Sequence, residues 1–169
     1  AHAREFGEQF NVKLRNHLVS ILKKKGYKAV APMNSPFWKR LRFPKVGIAS
    51  NWSERHIAYA CGLGAFGLSD GLITAKGKAM RLGSVVTDLL LKPSEKIYPH
   101  HHANCLYYFN KTCKICAARC PAGAITEQSH DKIKCNAYLR DIGYSAVLRD
   151  GYDNDKSVAG CGLCQTKVP

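Results

Sequence analysis

The sequence predicts an α+β fold with a separate cysteine-rich part at its C-terminal end. Three observations support this: residues 4–25 have the periodicity of an amphipathic helix, residues 71–91 are rich in β-forming side chains, and seven of the eight cysteines lie in the last 65 residues. A chain of 169 residues that is 46% hydrophobic can bury one sizeable core and a small satellite domain. Prolines at residues 93 and 99 indicate a linker. We therefore expect one domain over residues 1–98 and a second over residues 99–169.

The predicted first helix has apolar residues every three to four positions, which would place them on one buried face. They are Phe6, Phe10, Leu14, Leu18 and Ile21 or Leu22. Lysines at residues 23–25 and Gly26 indicate its C-terminus, because cations suit the last turn and glycine suits a left-handed cap. Residues 27–33 are predicted to form a short strand, followed by an extended connection marked by prolines.

Within that connection, residues 38–43 interleave aromatic and basic side chains. Such a segment could stack on bases and pair with phosphates, or Trp38 and Phe43 could plug the core from a loop. The whole chain carries 26 basic and 12 acidic residues, a net charge of +14. This surplus favours an anionic partner, such as nucleic acid, an acidic electron donor or a phosphate-bearing cofactor. A basic surface that serves only solubility is the alternative.

A second helix is predicted over residues 53–61, with Ser53 as N-cap and Glu54 in the first turn. It leads into residues 62–71, which we call the glycine turn. Its first residues match G-x-G-x-x-G, but a dinucleotide fold needs a strand before that motif and a helix after it. Here a helix precedes the motif and a β-rich stretch follows. The glycines either let the backbone approach a large ligand closely or form a plain turn.

Residues 72–74 and 82–91 are predicted to pair as a hairpin, with the second arm apolar enough to be a buried strand. Residues 131–148 indicate another helix, and residues 151–156 indicate a polar loop. The side chains expected to face inward from that helix are Ile133, Ala137 and Ile142. Three consecutive histidines, expected in a solvated loop, are His100, His101 and His102.

The segment from Cys105 to Cys120 packs four cysteines into sixteen positions. Its run C-x2-C-x3-C-P, which starts at Cys113, matches the end of the bacterial ferredoxin pattern. In that pattern the cysteine before proline ligates the other cluster. Asn110 occupies the position of the usual first cysteine, and Cys105 is the nearest substitute upstream. This spacing predicts an iron–sulfur site.

Two four-iron clusters need eight thiolates, and the C-terminal segment supplies seven. The predicted ligands are Cys105, Cys113, Cys116, Cys120, Cys135, Cys161 and Cys164. A zinc ribbon usually spaces its pairs ~15–20 residues apart, whereas 44 residues separate Cys116 from Cys161. A disulfide framework is typical of shorter secreted chains. A thioredoxin-type motif would leave five of the cysteines unused.

Five motifs, in the same order, resemble the iron–sulfur superfamily of epoxyqueuosine reductases and reductive dehalogenases. They lie at residues 52–64, 67–74, 81–86, 120–125 and 161–165. The resemblance covers roughly residues 50–169 and implies a nitroreductase-like platform that holds a base-off corrinoid, followed by a bacterial ferredoxin-like domain with two 4Fe–4S clusters. Only part of the platform is present. The implied cofactor contacts are Gly62, Gly64, Gly67, Ser69, Asp70 and Gly71.

The resemblance implies an oxidoreductase that passes electrons through two clusters to cobalamin, which reduces a substrate. Residues 47–53 lack the aspartate that epoxyqueuosine reductases carry before the glutamate corresponding to Glu54, so the substrate is left open. The alternative is a non-catalytic electron-transfer protein or subunit without corrinoid. Expected partners are a ferredoxin- or flavodoxin-type electron donor and an anionic partner such as tRNA. We expect a cytoplasmic protein, because no apolar run reaches the ~18 residues of a membrane span.

The crossed ferredoxin pattern predicts two sets of ligands, which together have seven cysteines where two four-iron clusters need eight. One set is Cys120, Cys135, Cys161 and Cys164, and the other is Cys105, Cys113 and Cys116. We expect Cys61 to be a small buried residue rather than the missing ligand. The chain opens on Ala1 without a signal-like region, which suggests a fragment or a processed product. The relatives imply an eighth ligand just beyond Pro169; the alternatives are a three-iron cluster, or an iron held by water or by Asn110.

Overall fold

The computed structural model describes residues 2–143 and 160–169, and it shows the expected mixture of helices and small antiparallel sheets. Its elements, in chain order, are α1 (His2–Lys24), β1 (Ala29–Val30), a 3-10 turn (Pro32–Asn34), β2 (Arg40–Phe43), β3 (Gly47–Ser50), α2 (Glu54–Ala60), β4 (Gly64–Phe66), β5 (Leu72–Thr74), β6 (Val86–Thr87), α3 (Leu106–Asn110), α4 (Ile115–Ala118), α5 (Lys132–Tyr138) and a π-helical turn (Leu139–Gly143). Within the described residues, no helix is both long enough and apolar enough to span a bilayer.

The strands pair in an order that differs from the predicted hairpin. Strand β5 pairs with β4, and β6 pairs with β1. The predicted pairing of residues 72–74 with residues 82–91 is therefore wrong. Gly64 explains the choice, because a Cβ there would lie 2.5 Å from the Ile73 carbonyl oxygen, so only glycine lets β4 approach β5 this closely. The second arm is not a buried strand either, since Leu90 is 96% exposed.

Helix α1 lies where its periodicity predicts, but it buries only the last residue of its predicted apolar face. Leu22 is buried as predicted, whereas the other five positions are exposed: Phe6, Phe10 (at 66%), Leu14, Leu18 and Ile21. The buried positions are Asn11, Arg15 and Leu22. Asn11 Nδ2 donates a 2.6 Å hydrogen bond to the Leu82 carbonyl. A long-range polar contact of this kind selects the buried face, and apolar periodicity alone does not detect it.

The segment after α1 is more structured than expected in one place and less in another. The strand predicted over residues 27–33 is reduced to β1, because the chain turns at Pro32 into a 3-10 turn. The aromatic and basic segment at residues 38–43 is not an extended connection, since β2 pairs with β3 in a hairpin. Trp38 Nε1 anchors the start of this hairpin by donating to the Trp52 carbonyl at 3.2 Å.

Helices α2 and α5 begin where the sequence predicts. Ser53 takes the N-cap position of α2 with extended backbone angles, but its hydroxyl lies 2.8 Å from His56 Nδ1 instead of capping an amide. At α5, Asp131 accepts hydrogen bonds from two amides of the first turn, both at 2.9 Å. The expected inward side chains of α5 are wrong in two cases, because Ile133 and Ala137 are exposed. The third, Ile142, and the predicted continuation over residues 144–148 and 151–156 lie outside the described side chains and residues.

A hydrophobic cluster joins the two predicted domains. Leu68 of the glycine turn packs with buried Cys105, Tyr107, Cys116 and Ile125. The histidine loop, which contains His100, His101 and His102 and precedes α3, also contacts β4, where the Phe66 amide donates to the His101 carbonyl at 2.6 Å. Contacts therefore cross the boundary expected at residue 98, and the glycine turn lies directly beside the first cysteines.

Candidate functional site

All eight cysteines are free thiols. Cys105 is at the N-cap of α3, Cys116 lies within α4, and Cys135 lies within α5. Short helices thus position three of the seven predicted ligands. Cys105 and Cys116 are buried, whereas Cys161 is exposed.

Cys116 of α4 has two other thiols, Cys105 and Cys113, close enough for their charge to affect it. Burial raises the pKa of the Cys116 thiol, and negative charge on Cys105 and Cys113 raises it further. The ammonium of Lys78 and the Ala117 amide oppose this rise. These three cysteines form what we call the first thiol set.

Cys135 of α5 has three other thiols, Cys164, Cys120 and Cys161, close enough for their charge to affect it. Burial raises the pKa of Cys135, and charge on Cys164, Cys120 and Cys161 adds to the rise. Burial also raises the pKa of Cys164, and negative charge on Cys161, Cys116 and Cys120 raises it further. We call these four the second thiol set, and Cys164 of this set is also affected by the charge of Cys116 in the first. The assignment of the two sets to two clusters by the crossed ferredoxin spacing stays a prediction.

The thiols are near one another without forming a closed cage. Across residues 2–143 and 160–169, no three side chains of Cys, His, Asp or Glu converge in an arrangement that would hold one metal ion. The chemistry of the donors nevertheless fits a thiolate-ligated metal, because soft sulfur ligands select iron–sulfur clusters and zinc. The Ala124 amide donates to Cys120 Sγ at 3.3 Å. Hydrogen bonds to sulfur of this kind tune iron–sulfur centres.

Two residues were considered as the eighth ligand, Asn110 and Cys61. The first is hydrogen-bonded within its own turn, and the second is exposed at the end of α2. Asn110 Oδ1 accepts hydrogen bonds from the Thr112 amide at 3.2 Å and the Thr112 hydroxyl at 2.6 Å. It thereby shapes the turn through Lys111, whose φ of 61° is left-handed. Cys61 ends α2 and is exposed, so the expectation that it is a buried residue is wrong.

The glycine turn is filled by atoms of this chain. Gly64 leaves room for β5, and a Cβ on Gly71 would collide with Cε of Lys78. A Cβ on Gly62 would lie 3.0 Å from the Glu95 carbonyl oxygen. Internal packing therefore accounts for these three glycines, and the space they free is not left for a corrinoid.

Asp70 ties the glycine turn to the segment before α5. Its φ of 55° is left-handed, and its carboxylate lies 3.4 Å from His130 Nδ1 and 3.8 Å from Lys132 Nζ. Burial alone would raise the pKa of Asp70, but His130, Lys132 and Arg55 outweigh burial and lower it. Arg55 also donates to the Asp70 carbonyl at 2.5 Å. Asp70 is thus a connecting residue in this structure.

Lys78 is the site residue that the sequence analysis missed. Its side chain is buried at 8% exposure, and its ammonium donates to the Ser69 hydroxyl. Nothing in the sequence distinguishes it from Lys76, which lies two positions earlier and is exposed. Only the folded turn brings Lys78 under the glycines.

An apolar groove of about 570 Å³ opens beside the first thiol set. Its walls include Ile73, Tyr98, Asn104, Cys105 and Phe109. The histidine loop lies nearby: His102 is half-buried and stacks on Tyr108 with ring centroids 3.7 Å apart. The expected solvated loop therefore holds for His100 and His101, which are exposed, and is wrong for His102.

No family model matches the chain, and comparisons with curated proteins and with solved structures give no significant match. The resemblance to epoxyqueuosine reductases and reductive dehalogenases therefore remains a prediction from the motifs.

Proposed function

We propose that this protein transfers electrons through two four-iron clusters held by the two thiol sets. The proposal is supported by seven free thiols in ferredoxin-like spacing, and by the mutual effect of thiol charges within each predicted set, which raises the pKa of Cys116 and of Cys135. Metal binding at thiolate sites is coupled to ordering of the ligand loops. We expect the sets to close when iron and sulfide are supplied.

The residues of this chain have defined tasks in that proposal. Thiolates of the two sets would hold the clusters, which take up and release one electron at a time. The apolar cluster of Leu68, Tyr107 and Ile125 keeps water from the two buried thiols of the first set, Cys105 and Cys116. The Ala124 amide stabilises negative charge on Cys120. Cys164 of the second set is close enough to Cys116 of the first for their charges to interact, which supports electron transfer between the sets.

The metal content tests this proposal directly. Anaerobically purified or reconstituted protein should contain roughly eight iron and eight sulfide per chain, since each cluster has four of each. Its broad visible absorption should bleach with dithionite. A protein that takes up stoichiometric zinc and no sulfide would contradict the proposal.

The free thiols and the positive net charge support a proposed location and a proposed electron donor. Eight free cysteines suit a reducing compartment such as the cytoplasm. A surface of net charge +14 would attract an acidic protein, and ferredoxins and flavodoxins are the donor class we propose.

The second candidate function is a corrinoid-linked reductase. The groove beside Cys105 favours it, because a small substrate there would adjoin the first thiol set. The filled glycine turn does not support corrinoid contacts at Gly62, Gly64 or Gly71. Adding cobalamin anaerobically separates the two functions: a reductase should shift the cobalamin spectrum and gain thermal stability, and an electron carrier should show neither change.

The β2–β3 hairpin supports a further partner, an RNA such as tRNA. Arg40 and Arg42 are exposed on the same face of β2, and Phe37 and Phe43 are exposed close by. We expect R40A/R42A to weaken tRNA binding and to reduce the salt slope by roughly 1.4, because each lost contact with a single strand contributes about 0.7.

Fluorescence titrations over a range of salt concentrations would measure this slope. The matched control is K23A/K24A, which removes two exposed charges from the end of α1. Equal losses in both double variants would indicate diffuse attraction, and no binding at low salt would exclude the RNA partner.

A further inference from the structure

The groove beside the first thiol set is open to the surface. One wall comes from residues 73–75, at the end of β5 and in the turn after it, and the other comes from residues 98–109, which include the histidine loop and most of α3. Phe109 is 76% exposed and Leu106 is 44% exposed, although both line the groove. A small-molecule site normally encloses most of its ligand. Walls this exposed instead suit a side chain that protrudes from a partner protein.

The segments that wall the groove carry positive charge and no carboxylate. No aspartate or glutamate occurs over residues 71–87 or over residues 96–126. Lys76 directly follows the last wall residue of the first segment, and Lys111 lies two positions after Phe109; both lysines are exposed. Consecutive residues are about 3.8 Å apart, so both lysines lie close to the groove. A cleft with apolar walls and charge of one sign nearby attracts a partner of the opposite charge.

Cys105 connects the groove with the proposed function. It lines the groove, takes the N-cap position of α3 and belongs to the same hydrophobic cluster as Cys116. A partner whose side chain enters the groove would therefore lie against a proposed ligand of the first cluster. Electron-transfer partners typically bury less than about 1,200 Å² in total, so one groove with its surrounding charges is a sufficient surface.

We propose that this groove is the docking surface for the protein that delivers electrons, and that this partner is acidic and has a protruding apolar side chain. The inference rests on the proposed function. The apolar walls hold the protruding side chain, and Lys76 and Lys111 select an acidic surface around it. In the docked complex one electron passes from the donor, which is oxidised, to the first iron–sulfur centre, which is reduced, and no bond forms or breaks.

The test measures binding of a labelled, acidic plant-type ferredoxin to the reconstituted protein by fluorescence anisotropy. F109S removes an aromatic wall of the groove, and its control is F37S, since Phe37 is 80% exposed in the segment before β2. K76E reverses a charge beside the groove, and its control K24E reverses an exposed charge at the end of α1. All four side chains are exposed, so these variants should keep the fold.

We expect F109S to weaken binding about tenfold, because aromatic anchors carry much of the affinity of an interface. This loss should persist in high salt, since the contact is apolar. K76E should also weaken binding about tenfold in low salt, and this loss should shrink as the salt concentration rises because salt screens exposed charges. F37S and K24E should both stay within about twofold of wild type, because they lie outside the proposed interface.

Equal losses in K76E and K24E would overturn the inference, because the net charge of the whole chain would then attract the ferredoxin. No binding by the wild type, or unchanged ferredoxin binding by F109S, would also overturn it. If F109S keeps ferredoxin binding but loses self-association or tRNA binding, the occupant of the groove is a second copy of the chain or an RNA.

The iron and sulfide content of the wild type reports on the proposed function separately. A wild type without clusters whose ferredoxin binding is still weakened by F109S and K76E removes the electron transfer and leaves a docking surface for an acidic protein. A wild type with clusters whose ferredoxin binding is unaffected by F109S and K76E removes only the docking surface.

Discussion

Arg15→Met is expected to destabilise the protein by about 3–5 kcal/mol, the usual effect of breaking a buried ion pair from one side. The Arg15 side chain is 4% exposed and contacts two other elements of the fold as well as Glu8 of its own helix. It donates to Glu8 Oε1 at 2.8 Å and to Asn34 Oδ1 at 2.9 Å, and its Nη1 lies 3.8 Å from Glu54 Oε1. Arg15 therefore connects α1 to the 3-10 turn and to α2.

Glu54 makes the loss of Arg15 severe. Its side chain is 9% exposed, and neither carboxylate oxygen has a hydrogen-bond partner in the described part of the chain. Without Arg15, the Glu54 carboxylate would be a buried charge with no compensating cation. The double variant R15M/E54L removes both charges and should recover much of the loss, because apolar replacement of a whole buried pair is often neutral.

Urea unfolding of the metal-free protein would measure these differences. R81M is the matched control, because Arg81 pairs with the same Glu8 but is more exposed, and exposed pairs contribute about 0–1 kcal/mol. Equal destabilisation by R15M and R81M would contradict the argument.

Unfolding should also become easier in acid. Burial tends to raise the pKa of Glu8, but Arg81 and Arg15 outweigh burial and lower this pKa below its ordinary value. The stability that the ionised Glu8 contributes is therefore lost as the pH falls through its folded-state pKa.

The elements that could be predicted are those with local signals. Helix α1 has helical periodicity along its length, and α5 begins at Asp131, whose carboxylate caps two amides in its first turn. The predicted iron–sulfur ligands also come from a local pattern, C-x2-C-x3-C-P, and their assignment to clusters stays a prediction.

The features that could not be predicted depend on partners distant in sequence. Asn11 reaches the Leu82 carbonyl across 71 positions, and this contact helps decide which face of α1 is buried. The pairing of β5 with β4 depends on close approach at Gly64 rather than on the apolar character of residues 82–91. Lys78 resembles any surface lysine until the turn closes over it.

The glycine turn shows that a motif can mark where the backbone needs glycine without showing whether a ligand or the chain itself fills the space. Its glycines are required by close backbone approach, as expected. The approaching groups are Ile73, Lys78 and Glu95 of the same chain. Spacing identifies where a side chain is excluded, and only the structure identifies what occupies the space.

Replacing one cysteine from each thiol set is expected to remove one cluster at a time. C113S and C161S should each retain about half of the wild-type iron, because serine offers a harder, protonated oxygen in place of a thiolate. Neither residue is fully buried, so these variants should keep the fold. C61S is the control, and it should retain all the iron, since Cys61 belongs to neither set.

Double variants test the membership of the sets. C105S/C113S removes two thiols from the first set and should lose no more iron than C113S alone, because that cluster is already absent. C113S/C161S removes one thiol from each set and should lose nearly all the iron. Iron and sulfide analysis, with circular dichroism to confirm folding, would measure these losses. If C105S/C113S loses nearly all the iron while C113S/C161S retains half, Cys105 and Cys113 serve different clusters and the assignment from the crossed spacing is wrong.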